Sequence, residues 1–137
     1  MYFAVEACTK GDDNTVGELI KRGVGADANL RGLRILPLIK ACNCRHLSIV
    51  KKLLNVDADV NLVDITGNTP LITASSHGEN MIVGELTKAG ANVNLHDHTG
   101  NTPLITACRA RDVKLVRDLV KVGANVNLQD QTGNVPL

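Results

Sequence analysis

Aromatic residues are nearly absent from this 137-residue chain, which has no tryptophan, one tyrosine and one phenylalanine. The two aromatics, Tyr2 and Phe3, lie at the extreme N-terminus. A compact single-core domain usually contains several aromatics, because each one buries a large apolar area. The interior must therefore be built from Leu, Ile, Val and Ala, which suits thin stacked layers of short elements.

Long apolar runs and a strong charge imbalance are also missing. No apolar run approaches the roughly 18 residues that a membrane-spanning helix needs. The N-terminal segment MYFAVEACTKGDD has neither a basic start nor an apolar stretch long enough for a signal peptide. The formal net charge is +1, which favours neither a nucleic-acid partner nor a membrane surface. We therefore expect an intracellular protein, cytoplasmic or nuclear, with no membrane insertion.

The main feature that the sequence does contain is a repeat with a period of 33 residues. The prolines Pro37, Pro70, Pro103 and Pro136 all keep this interval. The stretch DITGNTPLITA, which starts at Asp64, recurs one period later as DHTGNTPLITA. A fixed period of this size predicts a solenoid, in which each unit buries its apolar face only by stacking on its neighbours.

Each unit is predicted to consist of two helices and a hairpin. Thr69 is expected to cap a first helix, with Pro70 at the first helical position. Gly90 and Gly123 end second helices, and Gly100 supplies the tight bend of a hairpin. The predicted inward faces comprise Leu71, Ile72, Ala74 and Ser75 in one first helix, and, in three second helices, Ile49, Val50, Leu53 and Leu54; Ile82, Val83 and Leu86; and Leu115, Val116, Leu119 and Val120.

The pattern has irregularities. The first hairpin, residues 29–36, lacks the repeated D-x-x-G-x-T frame and is expected to be irregular. Gly17 and Gly84 fall in the middle of predicted helices, where each costs about 1 kcal/mol relative to alanine, and no sequence pattern explains them. The chain stops at Leu137, where a fifth helix pair would begin. We interpret it as a segment of a longer array, the alternative being a short natural protein whose last hairpin covers the fourth pair.

The repeated motif resembles that of the ankyrin repeat family, whose signature is T-P-L-H-x-A. Here the motif reads TPLITA at Thr69–Ala74 and again at Thr102–Ala107. Ile72 and Ile105 replace the signature histidine, so the hydrogen bonds of that histidine are not carried over. The resemblance covers nearly the whole chain and implies a mainly α, ankyrin-type solenoid of helix-turn-helix units joined by β-hairpin loops. We divide the single domain, 1–137, into a divergent repeat 1 (1–30), repeats 2 to 4 (31–63, 64–96 and 97–129) and a truncated repeat 5 hairpin (130–137).

The resemblance also implies a non-catalytic scaffold that binds a partner protein in a concave groove of hairpin tips and first helices. No Cys–His or Ser–His–Asp arrangement and no phosphate-binding loop stands out, so neither catalysis nor a cofactor is expected. The alternative functions are a purely structural spacer in a longer array, and a basic surface for nucleic acid or anionic lipid. By register, the groove residues are Asn43, Cys44, Arg45, Val63, Ile65, Thr66, Asn68, Ser76, His77, His96, His98, Thr99, Asn101, Arg109, Ala110, Gln129, Gln131 and Asn134.

The charge pattern favours an acidic partner. Residues 31–56 include six basic residues and no acidic one, and an acidic peptide or protein surface would match them. Because aromatic anchors are lacking, Arg109, His77 and His98 are the predicted centres of binding by a monomer. The histidines at 77, 96 and 98 could instead form a weak metal or pH-responsive patch, although a polar binding surface is the favoured interpretation.

The cysteines are interpreted as structural. Cys8, Cys42 and Cys108 occupy equivalent positions beside a repeated alanine, where a free thiol packs as a small apolar group. This recurrence argues against disulfides and fits a reducing compartment. Cys44 is left as the surface thiol, and a metal site with its neighbours is disfavoured.

One modification is implied by the family resemblance. The stretch from Leu53 to Asn61 resembles the pattern that an oxygen-sensing asparaginyl hydroxylase modifies in ankyrin repeats. Asn94 and Asn127 occupy the same position in later repeats. The alternative interpretation is that these asparagines form hydrogen bonds within their own hairpins.

Overall fold

The computed structural model describes residues 3–21, 37–56, 58–133 and 135, which form a row of four helix pairs. No residue in these ranges lies in a β-strand, so the hairpin loops are turns without a strand ladder. The predicted mainly α solenoid is confirmed. Its helices are α1 (Phe3–Lys10), α2 (Asp13–Lys21), α3 (Pro37–Asn43), α4 (Leu47–Asn55), α5 (Pro70–Ser76), α6 (Asn80–Lys88), α7 (Pro103–Arg109) and α8 (Val113–Lys121).

The helices form two rows. The inner row is α1, α3, α5 and α7, each packed on the next, and the outer row begins with α2 packed on α4 and α4 on α6. Each outer helix packs on the inner helix of its own repeat. The aliphatic core lies between the rows, and its largest fully buried side chains include Ile49, Leu71, Ile82, Leu86, Leu104, Leu115 and Leu119.

The predicted caps fix where two inner helices begin. Thr69 Oγ1 accepts a hydrogen bond from the Ile72 N–H at 3.1 Å, and Thr102 Oγ1 accepts one from the Ile105 N–H at 3.2 Å. A proline follows each threonine at the first helical position. Both threonines are buried, so each cap contributes about 1 kcal/mol without competition from water.

The predicted inward faces are confirmed except at the end of the outer row. Leu115 and Leu119 of α8 are fully buried, whereas Val120 is 41% exposed, so its placement on the inward face was wrong. The equivalent side chains, Leu54 in α4 and Thr87 in α6, are half-buried. Val120 differs because, within the described ranges, no outer helix follows α8.

The predicted helix ends are confirmed: Gly90 and Gly123 have φ of +91° and +98°, a left-handed conformation that favours glycine. Other predictions cannot be placed. The irregular first hairpin, residues 29–36, and the groove residue Asn134 lie outside the described residues.

Candidate functional site

Three loops, here called fingers, project between successive repeats at residues 63–68, 96–101 and 129–133. In the second finger, Asp97 Oδ1 accepts hydrogen bonds from the Thr99 N–H (2.8 Å), the Thr99 hydroxyl (2.7 Å) and the Asn101 N–H (2.9 Å). Burial opposes ionisation of Asp97, but these bonds outweigh it and hold the pKa of the carboxyl below its usual range. Asp64 and Asp130 bond the threonines of their own fingers in the same way.

The fingers are tied to one another in register. The His98 N–H donates to the Thr66 carbonyl oxygen at 3.1 Å, and the Gln131 N–H donates to the Thr99 carbonyl oxygen at 3.0 Å. Gly67, with φ of +82°, lies under the His98 ring, where a Cβ would stand 2.6 Å from Cδ2. The glycine in the repeated turn therefore permits both the bend and the close approach of the next finger.

The fingertips are exposed and differ in side chain. Ile65 is 63% exposed, and His98 and Gln131 occupy the equivalent exposed positions in the other fingers. The residues two positions earlier in each finger also differ. They are Val63, His96 and Gln129, and all three are exposed. The hydrogen bonds between aspartate and threonine are thus common to the fingers. The side chain at the tip changes from aliphatic to imidazole to amide. Below the tips, Thr66 and Thr99 are exposed, and Asn68 and Asn101 are half-buried.

The C-terminal ends of the inner helices bring further predicted residues together. His77 Nε2 lies 3.0 Å from Asn43 Oδ1, which links the ends of α5 and α3. Arg45 is exposed and has its Nε 3.7 Å from a Glu79 carboxylate oxygen. Of the remaining predicted residues here, Ser76 and Ala110 are exposed and Cys44 is half-buried.

Arg109 joins the helix ends to the fingers. Its Nη1 donates to Asn101 Oδ1 at 2.6 Å, and its Nη2 donates to the carboxylate of Asp130. The Asp130 side chain is only 2% exposed, whereas that of Arg109 is 51% exposed. Fingers and helix ends therefore form one continuous surface, here called the inner face. Much of the charge of Arg109 is neutralised within it.

The three histidines of the predicted patch have separate contacts. His96 Nδ1 lies 2.8 Å from the Asp97 carbonyl oxygen, while His77 contacts Asn43 and His98 covers Gly67. Within the described ranges, no group of three or more His, Cys, Asp or Glu residues could hold a metal ion. Nor does any described helix have the length and apolarity to cross a bilayer.

Comparison with known proteins agrees with the repeat geometry. The sequence profile described as ankyrin repeats (3 copies) matches residues 3–97 and 38–130. The chain belongs to the ankyrin repeat family. Ankyrin repeats are generally protein–protein interaction modules rather than enzymes. A curated ankyrin repeat protein of Fowlpox virus (strain NVSL) is 36% identical over 67 residues, which cover 49% of this chain and 34% of that relative. The match thus spans about a third of the relative's length.

The cysteines of this ankyrin repeat protein follow their predicted positions. Cys8 and Cys42 are fully buried. Burial raises the pKa of the Cys8 thiol to about 11 and that of Cys42 to about 12. Cys108 is half-buried at the end of the inner row, and burial raises its pKa too. Such thiols are poor nucleophiles at neutral pH.

The asparagines with the proposed modification pattern form hydrogen bonds both within their own loop and to the next repeat. Within the loop, the N–H groups of Asn61, Asn94 and Asn127 donate to the side-chain oxygens of Asp59, Asn92 and Asn125 at 2.9, 3.0 and 2.9 Å. Asn61 Oδ1 accepts the Asn92 N–H at 2.8 Å, and Asn94 Oδ1 accepts the Asn125 N–H at 2.7 Å. The expected hydrogen bonds within one hairpin are therefore present at the backbone N–H groups, and stacking adds bonds from the side-chain oxygens to the following loop. Asn127, the last of the series, is exposed.

Two features of the ankyrin stack were not predicted from the sequence, namely the left-handed backbone of two arginines and two exposed apolar side chains. Arg111, like Arg45, has a positive φ, +56° against +63°, and both occupy the turn position of Gly11 and Gly78. The sequence signal for this conformation was that arginine stands at a turn position where two other repeats have glycine. Met81 and Val113 are each 69% exposed near the starts of α6 and α8.

Proposed function

We propose that this ankyrin repeat protein binds another protein through its inner face, the concave groove predicted from the sequence. The observation that carries the proposal is the set of stacked fingers. In each finger an aspartate accepts hydrogen bonds from the threonine two residues later, and Ile65, His98 and Gln131 stand at the successive tips. A frame already fixed in the free protein lowers the ordering cost of binding. Affinity can then come from a few side chains that contact the partner.

Two arginines support an acidic partner. Arg45 and Arg111 lie at the same turn position two repeats apart, and both side chains are exposed. A left-handed backbone costs a non-glycine residue about 1–2 kcal/mol. Such strain is concentrated at functional sites. The stacked repeats fix the two backbone positions along the inner face, and the contact of Arg45 with Glu79 is long, at 3.7 Å. Both guanidinium groups therefore complement carboxylates on a partner.

The test uses the glycine found at this turn in the other repeats. Peptides are selected on the immobilised protein from a displayed random library, and their affinities are measured by titration calorimetry. Arg45→Gly with Arg111→Gly removes both charges while relieving the backbone strain, so folding is retained. We expect selected peptides to be rich in Asp and Glu, and the double variant to bind them about tenfold more weakly, which corresponds to about 1.4 kcal/mol.

The matched control is Lys51→Gln with Arg117→Gln. These residues also lie two repeats apart at one register, but on outer helices, and both are exposed. Their loss removes the same formal charge, so affinity should be unchanged apart from a small effect that salt screens. Equal weakening by both double variants would contradict a role for the inner face. Selection of no peptide would favour the spacer function instead.

A further inference from the structure

Gly17 and Gly84 occupy the same register of outer helices α2 and α6, in ordinary helical backbone. Around Gly17 a side chain of the neighbouring helix lies at an ordinary contact distance from the position of a Cβ. Lys52 of the next outer helix reaches across, with its Nζ 3.6 Å from where a Cβ on Gly17 would stand. Its ammonium donates to the Asp13 carbonyl oxygen at 3.0 Å and to Asp13 Oδ2 at 2.6 Å. The space beside Gly17, here called a trough, thus receives the ammonium end of a lysine side chain.

Around Gly84 the corresponding trough is open. No atom comes within 4 Å of the position of a Cβ. A groove of 340 Å³ lies between α6 and α8, with Val83 and Leu119 among its apolar lining residues. The residue of α8 at the register of Lys52 is Asp118, whose carboxylate accepts a hydrogen bond from Lys114 of its own helix at 2.9 Å. Among the described residues, no side chain crosses Gly84.

A hydrogen-bond acceptor at the position equivalent to Asp13 is retained beside Gly84. Asn80 lies in the groove wall at the register of Asp13. Its Oδ1 is buried and has no hydrogen-bond partner within the described ranges. A buried acceptor without a donor destabilises the folded state, and an incoming N–H group would remove that cost. Asp118 also lines the groove, and its carboxylate is shared with Lys114, whose hydrogen bond is the largest cause that lowers the pKa of Asp118.

We propose that the outer groove between α6 and α8 receives a lysine side chain from a partner protein. The four-carbon stem lies over Gly84 between Val83 and Leu119, and the ammonium group takes the part that the Lys52 ammonium has near Gly17. The ammonium donates to Asn80 Oδ1, after a small rotation of that side chain, and lies near Asp118. This site is on outer helices and does not depend on binding at the inner face.

The charges at the other end of the groove determine how the partner segment is oriented in it. Lys88 and Lys121 line it there, and Lys88 lies about 12 Å from Asn80, because eight residues of helix rise about 1.5 Å each. Lys88 Nζ is 3.6 Å from a Glu85 oxygen, an exposed and weak pair. The two ammonium groups repel a cation at that end. A carboxylate of the partner, next to the inserted lysine, fits them.

The first test uses n-butylammonium chloride, the lysine side-chain analogue, with n-butanol and sodium butyrate as neutral and anionic controls. Each is titrated into the ¹⁵N-labelled protein and followed by amide chemical shifts. We expect butylammonium to shift the Gly84 amide and the Asn80 side-chain amide, and to bind at least about threefold more tightly than either control. Gly84→Leu should abolish these shifts, whereas Lys51→Leu, at the same register of α4, should not.

Every other result overturns the proposal. Tighter binding of butyrate would assign the groove to an anion, and equal binding of butanol would make it an apolar crevice only. No shift with any of the three would mean that the groove takes no such side chain.

A second test rebuilds the filled trough within the chain. Asn80→Asp combined with Asp118→Lys reproduces the acceptor and the lysine that cross Gly17. We expect the double variant to have a higher urea midpoint than the two single variants predict by addition, and to lose the butylammonium shifts. Additive midpoints would show that this trough does not hold a lysine, whatever the small-molecule titrations give.

Discussion

Arg109→Ala should destabilise the protein by about 2 kcal/mol. Breaking a fully buried ion pair from one side costs about 3–5 kcal/mol, whereas an exposed pair contributes about 0–1. The pair with Asp130 lies between these limits, because the carboxylate is 2% exposed and the guanidinium is 51% exposed. The hydrogen bonds that Thr132 donates to Asp130 Oδ1 remain, which keeps the loss below that of a fully orphaned charge.

The assay is equilibrium urea unfolding at neutral pH, with Lys114→Ala as the matched control. Lys114 pairs with Asp118 at 2.9 Å, but both side chains are largely exposed. Its loss should therefore cost under about 0.5 kcal/mol. If Arg109→Ala costs no more than the control, then Arg109 does not hold the third finger. A cost near 2 kcal/mol would also mean that weaker partner binding by this variant has a structural component.

Three further outcomes are expected. Thr102→Ala should lower the free energy of unfolding by about 1 kcal/mol through loss of the buried cap, measured by urea unfolding; a cost near zero would contradict the capping role. In the folded protein, iodoacetamide should modify Cys44 well before Cys42, whose pKa is raised by burial, as peptide mass mapping would reveal; equal rates would refute this. An ankyrin asparaginyl hydroxylase that accepts this protein should add oxygen to Asn127 before Asn94, because the Asn94 side chain bonds the next loop. The order is read by mass spectrometry, and the reverse order would contradict this prediction.

The fold was largely predictable because its signals are local and repeated. A capping threonine, a proline at the first helical position and a glycine at a helix end act within a few residues of sequence. Their 33-residue spacing then implies stacking. Thr69 and Gly90 accordingly occupy their predicted positions with the expected geometry.

Contacts between repeats were less predictable, because they depend on how one unit is placed on the next. The hydrogen bond from the Asn92 N–H to Asn61 Oδ1 joins residues 31 apart, and the link from Arg109 to Asp130 joins residues 21 apart. Neither partner can be identified from periodicity alone. The exposure of Val120 likewise depends on its surroundings in the stack, because no outer helix follows α8 within the described ranges.

The candidate sites divide in the same way. Register identified the fingertip positions of Ile65, His98 and Gln131, since they vary within a constant frame. For Gly84, by contrast, the sequence indicates only that a glycine in the middle of a helix lowers helix stability, and it does not explain why glycine stands there. Only the structure reveals that Lys52 approaches the equivalent Gly17, whereas no side chain in the part of the chain that the structure describes approaches Gly84.

Binding through the inner face is tested most directly by mapping the footprint of a selected acidic peptide with amide chemical shifts. We expect the largest shifts in residues 63–68, 96–101 and 129–133 and at the ends of α3, α5 and α7, with the outer helices unchanged. Shifts confined to α4, α6 and α8 would contradict binding at the inner face.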